Sequence, residues 1–513
     1  MTSARDPDDL AHELAGIIGD GHLLRDEASC ALAGSDLFRW PGAALPDMVL
    51  GPADTAETAA CLAALPRAGR PVVPRGAGLS YTAGVVPQRP AAVLDLRRLD
   101  AVRVEAGDLT AIVGAGCTWQ RLAEALAPHG LRPVLAAPIS GSHSTVGGAA
   151  SQGLPGGLDG VVGLTVALAD GTVVRTGSGA ISGGLPFWRY HGPDLTGLFL
   201  GDCGAFGVKT EIVLRLAPER ACAHASFAFG TGGDMLAALL LLQRGGLVSR
   251  AFAMDRTRIE AAGRPGLGEV LRVAAGVAMR AGSPLRALRD LAVLRHVGDA
   301  TEAAWSLHLT VEGVDETTAE AQLRHARSVC RTRGREISPT IPKAMRARPF
   351  SVRGMVGSGG ERWVPVHGIL AMSRAEACLA ALQTHLAGRA PDLSGAGIRL
   401  SWLISSAGAY VSIEPMFLWR DALDPIHLAH LSTRNRDRFG GAAEDLPARA
   451  LVRALRTELR DIFDRHGATH AQLGRFYRGG DALEPGARAL LEGVKRALDP
   501  AGRMNPGVLG LGS

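Results

Sequence analysis

The chain has 513 residues, 66 of them glycine and 29 proline, about twice the usual share of the two together, which excludes a coiled coil or a plain helical bundle. With 47% hydrophobic and 20% charged residues it is neither disordered nor fibrous, and its length suits two domains with a core each. The net charge of +5 comes with three lysines among 55 basic residues and no long arginine block, a pattern that argues against nucleic acid as a partner.

The longest apolar run, Met235 to Leu242, falls far short of the ~20 residues a membrane span requires. Met1 to Leu14 is polar and acidic and lacks the pattern of a secretory signal, so a cytoplasmic location is expected. The seven cysteines are scattered and never form Cys-x-x-Cys, which argues against a disulfide framework and a zinc site.

Residues 1–45 read as a lead-in with a helix over Leu10 to Ile18. Met48 to Leu50 is a strand, and Asp54-Thr55-Ala56-Glu57 reads as a capping box opening a helix up to Leu65. A second strand, Pro71 to Pro74, runs into the loop Arg75-Gly76-Ala77-Gly78-Leu79-Ser80-Tyr81. Strands follow at Ala92 to Leu96 and Thr110 to Gly114, and Thr118 caps a helix over Trp119 to Ala127, stopped by Pro128 and Gly130. Val161 to Leu168 and Thr172 to Thr176, joined by Asp170-Gly171, predict a β-hairpin. One α+β domain therefore spans about 46–218. Pro218-Glu219-Arg220 marks a boundary, after which longer helices (Met235 to Gln243, Thr318 to Arg333, Ser373 to Leu386, Ala448 to His466) alternate with short strands, Ala304 to Val311 and Ala409 to Ile413 among them. That predicts a second α+β domain over 219–486, followed by a C-terminal segment, 487–513, with a helix over Ala487 to Leu498.

Glycine is densest between residues 69 and 207, with 26 of the 66. Three loops there suit ligand contact: Arg75 to Gly84, Pro138 to Gly148, and Gly201 to Val208. Closely spaced glycines let successive backbone N–H groups point at an anion, and such a concavity holds a pyrophosphate without a lysine. Each loop alone is also consistent with a tight turn. No Gly-x-x-x-x-Gly-Lys-Ser/Thr, no strand–Gly-x-Gly-x-x-Gly–helix unit, no His-Glu-x-x-His and no Gly-x-Ser-x-Gly occurs, which removes the P-loop nucleotidase, Rossmann NAD and usual hydrolase readings.

Pro-Val-Val-Pro-Arg-Gly-Ala-Gly-Leu-Ser-Tyr (71–81), Ser-Thr-Val-Gly-Gly (144–148), Gly-Val-Val-Gly-Leu-Thr-Val-Ala-Leu-Ala-Asp-Gly (160–171) and the run 194–211 resemble, in order and spacing, the FAD-binding domain of the vanillyl-alcohol oxidase/p-cresol methylhydroxylase (PCMH) flavoprotein family. Leu498 to Gly507 is similar to that family's closing motif. The resemblance implies an α+β, two-domain PCMH-type fold with FAD held by 46–218 and the C-terminal segment, and a substrate (cap) domain at 219–486. It implies that Arg75, Gly76, Ala77, Gly78, Leu79 and Ser80 wrap the pyrophosphate through backbone amides, with the Arg75 side chain either adding charge or lying in solvent. By the same resemblance Pro138, Ser142, His143, Ser144, Thr145 and Gly148 line the flavin and its ribityl chain, and Val208 contacts it through its backbone.

Covalent attachment in the family uses a histidine where this chain has Leu79, a cysteine in the loop that here (138–148) has none, or a residue of the strand Ser406 to Val411. Dissociable FAD is therefore expected, with Tyr410 the one residue in register for a link. The D-2-hydroxy acid members carry a Gly-His-x-Gly-Asp-Gly-Asn metal motif, reduced here to Trp363-Val364-Pro365-Val366-His367-Gly368, and a Ser-Gly-Glu-His-Gly-Ile-Gly segment, reduced to Thr469-His470-Ala471-Gln472-Leu473-Gly474. No metal is assigned. Phenol-oxidising members use a Tyr-Arg pair similar to Tyr477-Arg478.

Either way the implied chemistry is hydride transfer from a hydroxylated carbon to flavin, with His367, Glu414 or His470 as candidate base and Arg478 as candidate cationic anchor. Each of these also reads as an ordinary polar residue of the fold, and Trp402, Phe417 and Trp419 read as core aromatics or pocket walls. The function expected is oxidation of a D-2-hydroxy acid, with a para-substituted phenol as the alternative and a flavin-free binding protein as a remote one. The partners expected are a small-molecule substrate and an electron acceptor, either oxygen or a quinone or cytochrome; a homo-oligomer is compatible with the sequence.

Overall fold

The computed structural model describes residues 7–65, 69–135, 137–154, 156, 158–263, 267–279, 298–350 and 355–511. The chain divides into two compact units: Met1–Glu219 with Asp424–Ala429 and Ala471–Ser513, and Arg220–Leu423 with His430–His470. Residues 471–486, expected in the second domain, thus belong to the first unit. Side-chain bonds explain the transfer: Arg475 donates to the Val86 carbonyl (3.0 Å), Asn505 Oδ1 (2.9 Å) and the Pro506 carbonyl (2.7 Å).

In the first unit, α1 (Pro7–Ile18), β1 (Leu23–Leu24) and α2 (Glu27–Ala33) lead into a four-stranded sheet. It adds β2 (Met48–Leu50), β3 (Val72–Arg75) and β4 (Ala92–Asp95) in the order β1-β2-β4-β3, with β2 and β3 both parallel to β4. The crossover helix α3 (Thr55–Ala64) starts where the sequence places it: Asp54 accepts from the Glu57 amide at 2.8 Å, and Glu57 accepts from the Ala53 amide at 2.7 Å.

A second sheet holds β5 (Val102–Glu105), β6 (Thr110–Gly114), β7 (Leu131–Pro133), β8 (Val161–Ala167), β9 (Val173–Arg175) and β10 (Val208–Pro218), ordered β5-β6-β10-β8-β9 among the described residues, with β7 also on β10. The hairpin expected at Asp170-Gly171 is there, β8 pairing antiparallel with β9. Between strands lie α4 (Trp119–Leu126), capped by Thr118, α5 (Val146–Gln152) and α6 (Leu195–Leu198). The central strand β10 is absent from the sequence reading, because its glycine-rich approach masks a buried apolar run that pairs on both edges.

The second unit is one eight-stranded antiparallel sheet among the described residues, in the order β14-β11-β13-β12-β17-β18-β15 with β16 also on β18. Its strands are β11 (Ala221–Phe229), β12 (Arg250–Asp255), β13 (Trp305–Gly313), β14 (Arg335–Ile337), β15 (Arg362–Pro365), β16 (Gly368–Ala371), β17 (Arg399–Ala407) and β18 (Tyr410–Trp419). Alternation divides its faces. Leu307, Leu309, Ala253, Ile404, Ile413 and Phe417 are fully buried on the face covered by α7 (Gly232–Arg244) and by the helices Glu316–Arg331 and Met372–Gly388. Trp402 and Phe417 belong to that core face, with Trp402 against Trp305 (6.2 Å between ring centroids). The opposite face carries the register row Ser306, Met254, Leu403, Glu414 and, beside it, His308, Phe252, Ser405, Ser412.

Candidate active site

The three glycine loops of the first unit converge. A Cβ on Gly76 would lie 2.4 Å from Thr145 Oγ1, so the first loop approaches the second this closely only as glycine. The third loop is tied to α5 by the Gly201 and Cys203 amides, which donate to the Ala150 and Ser151 carbonyls at 2.8 Å each. Asp202 then organises its turn, accepting from the Gly204 amide (3.0 Å) and from Lys209 Nζ (2.5 Å) in a fully buried pair.

The C-terminal motif closes over these loops. The Asn505 side-chain amide donates to the Gly84 (2.7 Å) and Cys203 (2.6 Å) carbonyls, so one buried residue spans the first and third loops. Its backbone donates to Val72, and Val72 donates to Arg503, which continues the sheet past β3. Asp499 accepts from the Arg503 and Met504 amides, and Lys495 Nζ bonds Asp499 Oδ2 and the Ala205 and Met504 carbonyls at 2.7 Å each.

The Arg75 side chain turns away from the ligand role or solvent position considered for it. It is buried, donates to the Ala33 (3.0 Å) and Ser35 (2.6 Å) carbonyls, and burial holds its pKa down at about 10. Gly78, with a left-handed φ of 73°, sits directly on this guanidinium: an added Cβ would lie 2.1 Å from Arg75 Nη2. Arg75 therefore supports the loop from behind.

The amides of Ala77, Gly78 and Leu79 have no acceptor among the described residues, an arrangement that suits an anion with several oxygens. In the second loop Ser142 Oγ is buried with no partner among the described residues, and burial lowers the pKa of His143, favouring the neutral ring. Thr145 caps α5 through the Gly148 amide (3.1 Å), and Val208 begins β10 fully buried opposite Ala167. Unused donors and an unsatisfied hydroxyl in converging loops fit a dinucleotide cofactor.

Residues 46–177 match the family described as FAD binding domain. p-Cresol methylhydroxylase with substrate bound superposes with a TM-score of 0.72 at 16% identity, covering 98% of this chain and 97% of that one. Residues 46–177 thus match an FAD-binding domain, and the chain has the fold of p-cresol methylhydroxylase. A 4-ethylphenol oxidase from Gulosibacter chungangensis shares the fold equally, with a TM-score of 0.72 and 16% identity. In sequence, glycolate oxidase subunit GlcD of Bacillus subtilis is 32% identical over 185 residues, 34% of this chain and 38% of that protein. The mitochondrial D-lactate dehydrogenase [cytochrome] of Arabidopsis thaliana is 31% identical over 232 residues, 42% of this chain and 39% of its own length. The chain thus spans about two-fifths of the length of these curated relatives.

The first unit also holds Tyr477 and Arg478: Tyr477 is buried with its ring against Phe476 (4.8 Å), whereas Arg478 is exposed. The arginine that sequence reading missed is Arg475, whose bonds to the first loop and to Asn505 were invisible because its partners lie up to 392 residues away.

His367, Glu414 and His470 all fall in the second unit, and the fold brings them together. β15 ends at Pro365 opposite Met416 and β16 begins at Gly368 opposite Ile413, so Val366 and His367 lie across from Glu414 and Pro415. The rings of His367 and His470 are 6.3 Å apart. Both ring nitrogens of His470 are engaged, Nδ1 with the His367 carbonyl (2.7 Å) and Nε2 with Asp464 (2.9 Å), so the ring holds the strand connection in place. Glu414 is different: half-buried, it has no hydrogen-bond or ion-pair partner among the described residues, and burial lifts its pKa to about 7 while Arg258 pulls the other way.

Proposed function

We propose that this protein oxidises a D-2-hydroxy acid to the 2-oxo acid, using FAD. The reading rests on one observation above others: an FAD-binding domain whose curated relatives, near 30% identical, are named glycolate oxidase and D-lactate dehydrogenase. Bound FAD supplies the two-electron acceptor for a hydride. The pyrophosphate would lie on the amides of Ala77, Gly78 and Leu79, with Ser142 Oγ donating to the flavin or its ribityl chain. FAD is taken to be dissociable, the electron acceptor to be oxygen or a quinone or cytochrome, and the compartment to be the cytoplasm.

The substrate loses a hydride from its α-carbon and a proton from its hydroxyl, and a C=O bond forms between them. Glu414 is the base: an unpaired carboxylate whose pKa lies near neutrality takes that proton with little mismatch, and His367 lies across from it. His470 is assigned to positioning, since both its nitrogens are used, and neither Tyr477 nor Arg478 is assigned contact with substrate.

Anaerobic mixing with D-lactate, D-2-hydroxy acids of longer side chain and vanillyl alcohol, followed at the flavin absorbance, tests the assignment. Bleaching by at least one hydroxy acid and none by vanillyl alcohol is expected. Bleaching by vanillyl alcohol alone replaces this reading with phenol oxidation, and a colourless protein that binds no FAD overturns both.

A further inference from the structure

The face of the second unit's sheet that carries Glu414 also holds a cation with no ion-pair partner among the described residues. α8 (Arg256–Ala262) leaves the end of β12, capped by Asp255, which accepts from the Arg258 amide at 3.0 Å and from the Trp402 amide at 2.9 Å. This fixes the start of the helix against β17 and sends the Arg258 side chain over the sheet. There its guanidinium lies 5.4 Å from the centre of the Trp363 ring and donates to Met416 Sδ at 2.9 Å. Met416 stands two residues from Glu414 and shares its face.

Arg258 is half-buried, and among the described residues it has no carboxylate partner. Glu414 feels its charge without forming an ion pair with it. A half-buried guanidinium and a half-buried carboxylate that neighbour each other yet form no ion pair among the described residues are costly in a resting fold, where such charges are normally paired. A ligand that brings an anion for the one and a proton donor for the other satisfies both. A carboxylate next to a hydroxyl has that pattern, and an arginine fork matches a carboxylate in two bonds.

The register also places Met254 and Leu403 in line with Glu414, and Ile369 in the adjoining row opposite Ser412. All three are half-buried, with apolar surface beside the charged pair.

Resting on the hydroxy-acid reading above, we propose that Arg258 anchors the substrate carboxylate beside Glu414, and that Met254, Leu403 and Ile369 carry an apolar substituent, so that the substrate is a D-2-hydroxy acid larger than lactate. Arg258 is then a specificity-determining residue. Its role is to hold the carboxylate while the hydroxyl proton passes to Glu414.

The test uses the FAD-loaded full chain, D-lactate, D-2-hydroxy-4-methylpentanoate, D-phenyllactate and the methyl ester of the last. Binding of phenylpyruvate is read separately, from the flavin spectrum and from the thermal shift it produces. A rise in kcat/KM of tenfold or more from D-lactate to the larger acids is expected, with a loss of about a hundredfold for the ester. Arg258→Met should raise the Kd for phenylpyruvate about a hundredfold at unchanged flavin content, and Arg258→Lys should restore part of it. If no hydroxy acid bleaches the flavin, the functional reading itself falls and this one with it. If the acids react but Arg258→Met binds phenylpyruvate as the parent does, the anchor is overturned and the function stands. A preference for D-lactate overturns the apolar strip. Should Arg258→Met fail to load FAD, the ester decides in the unaltered chain: an ester as good as its acid removes the anchor.

Discussion

The two units of this chain make a ligand site in opposite ways. In the first unit the groups proposed to face the cofactor are backbone amides, set by glycines, by the Arg75 support and by the Asn505 tie. In the second unit they are side chains, Glu414 and Arg258, set by strand register and a helix cap. A backbone cradle depends on the shape of a short segment and tolerates many side chains. A register-built pair depends on distant residues, and a change at one position touches chemistry without touching shape.

Substitutions separate these two designs. The largest effect is expected for Glu414→Gln, which keeps the strand and removes the proton acceptor: kcat should fall about 10²- to 10⁴-fold, with flavin content unchanged. Rapid-reaction reduction of the flavin measures it. Next comes Gly78→Ala, since the added Cβ meets the Arg75 guanidinium and the φ is left-handed. Strain of about 1–3 kcal/mol should weaken FAD roughly ten- to a hundredfold, read by fluorescence titration of apoprotein, while substrate selectivity of the loaded fraction stays the same.

Asn505→Ala leaves the buried Gly84 and Cys203 carbonyls without their donor and should cost about 1–3 kcal/mol of stability, measured by denaturant unfolding of the apoprotein. Ser142→Ala is expected to be the mildest. Its hydroxyl bonds nothing among the described residues, so apoprotein stability should hold while FAD affinity drops a few-fold; an unchanged affinity would remove Ser142 from the cofactor site.

The pH dependence sharpens the contrast within the second unit. Because burial lifts Glu414 to about 7, kcat/KM should rise with pH through about 7 and level off above it, and Glu414→Gln should flatten the profile. Stability moves the other way. The folded state holds this proton more tightly than the unfolded chain, so the contribution is fully present below the ordinary carboxylate value and is lost as pH rises through about 7. Melting temperatures across pH 5–8, parent against Glu414→Gln, measure the difference.

Legibility followed the same division. The capping box at Asp54, the Thr118 cap, the hairpin at Asp170-Gly171 and the three glycine loops were readable because each signal lies within a few residues of the structure it specifies. The central strand β10 was not, and neither was the membership of 471–486, since both depend on partners remote in sequence. Among the base candidates, composition gave His367, Glu414 and His470 equal standing. Only the hydrogen bonds on His470, and the lack of a hydrogen-bond or ion-pair partner for Glu414 among the described residues, distinguish them.

What the sequence by itself determined is the cofactor half of this protein, where glycine spacing dictates backbone shape and backbone shape dictates an anion cradle. Tertiary structure decided the rest: that Arg75 faces inward, that Tyr477 is buried while Arg478 is exposed, and that Arg258 comes to lie beside Glu414 from 156 residues away. The physical reason is range, since local sterics act over a few residues whereas burial and charge act through space, between groups the chain order does not bring together.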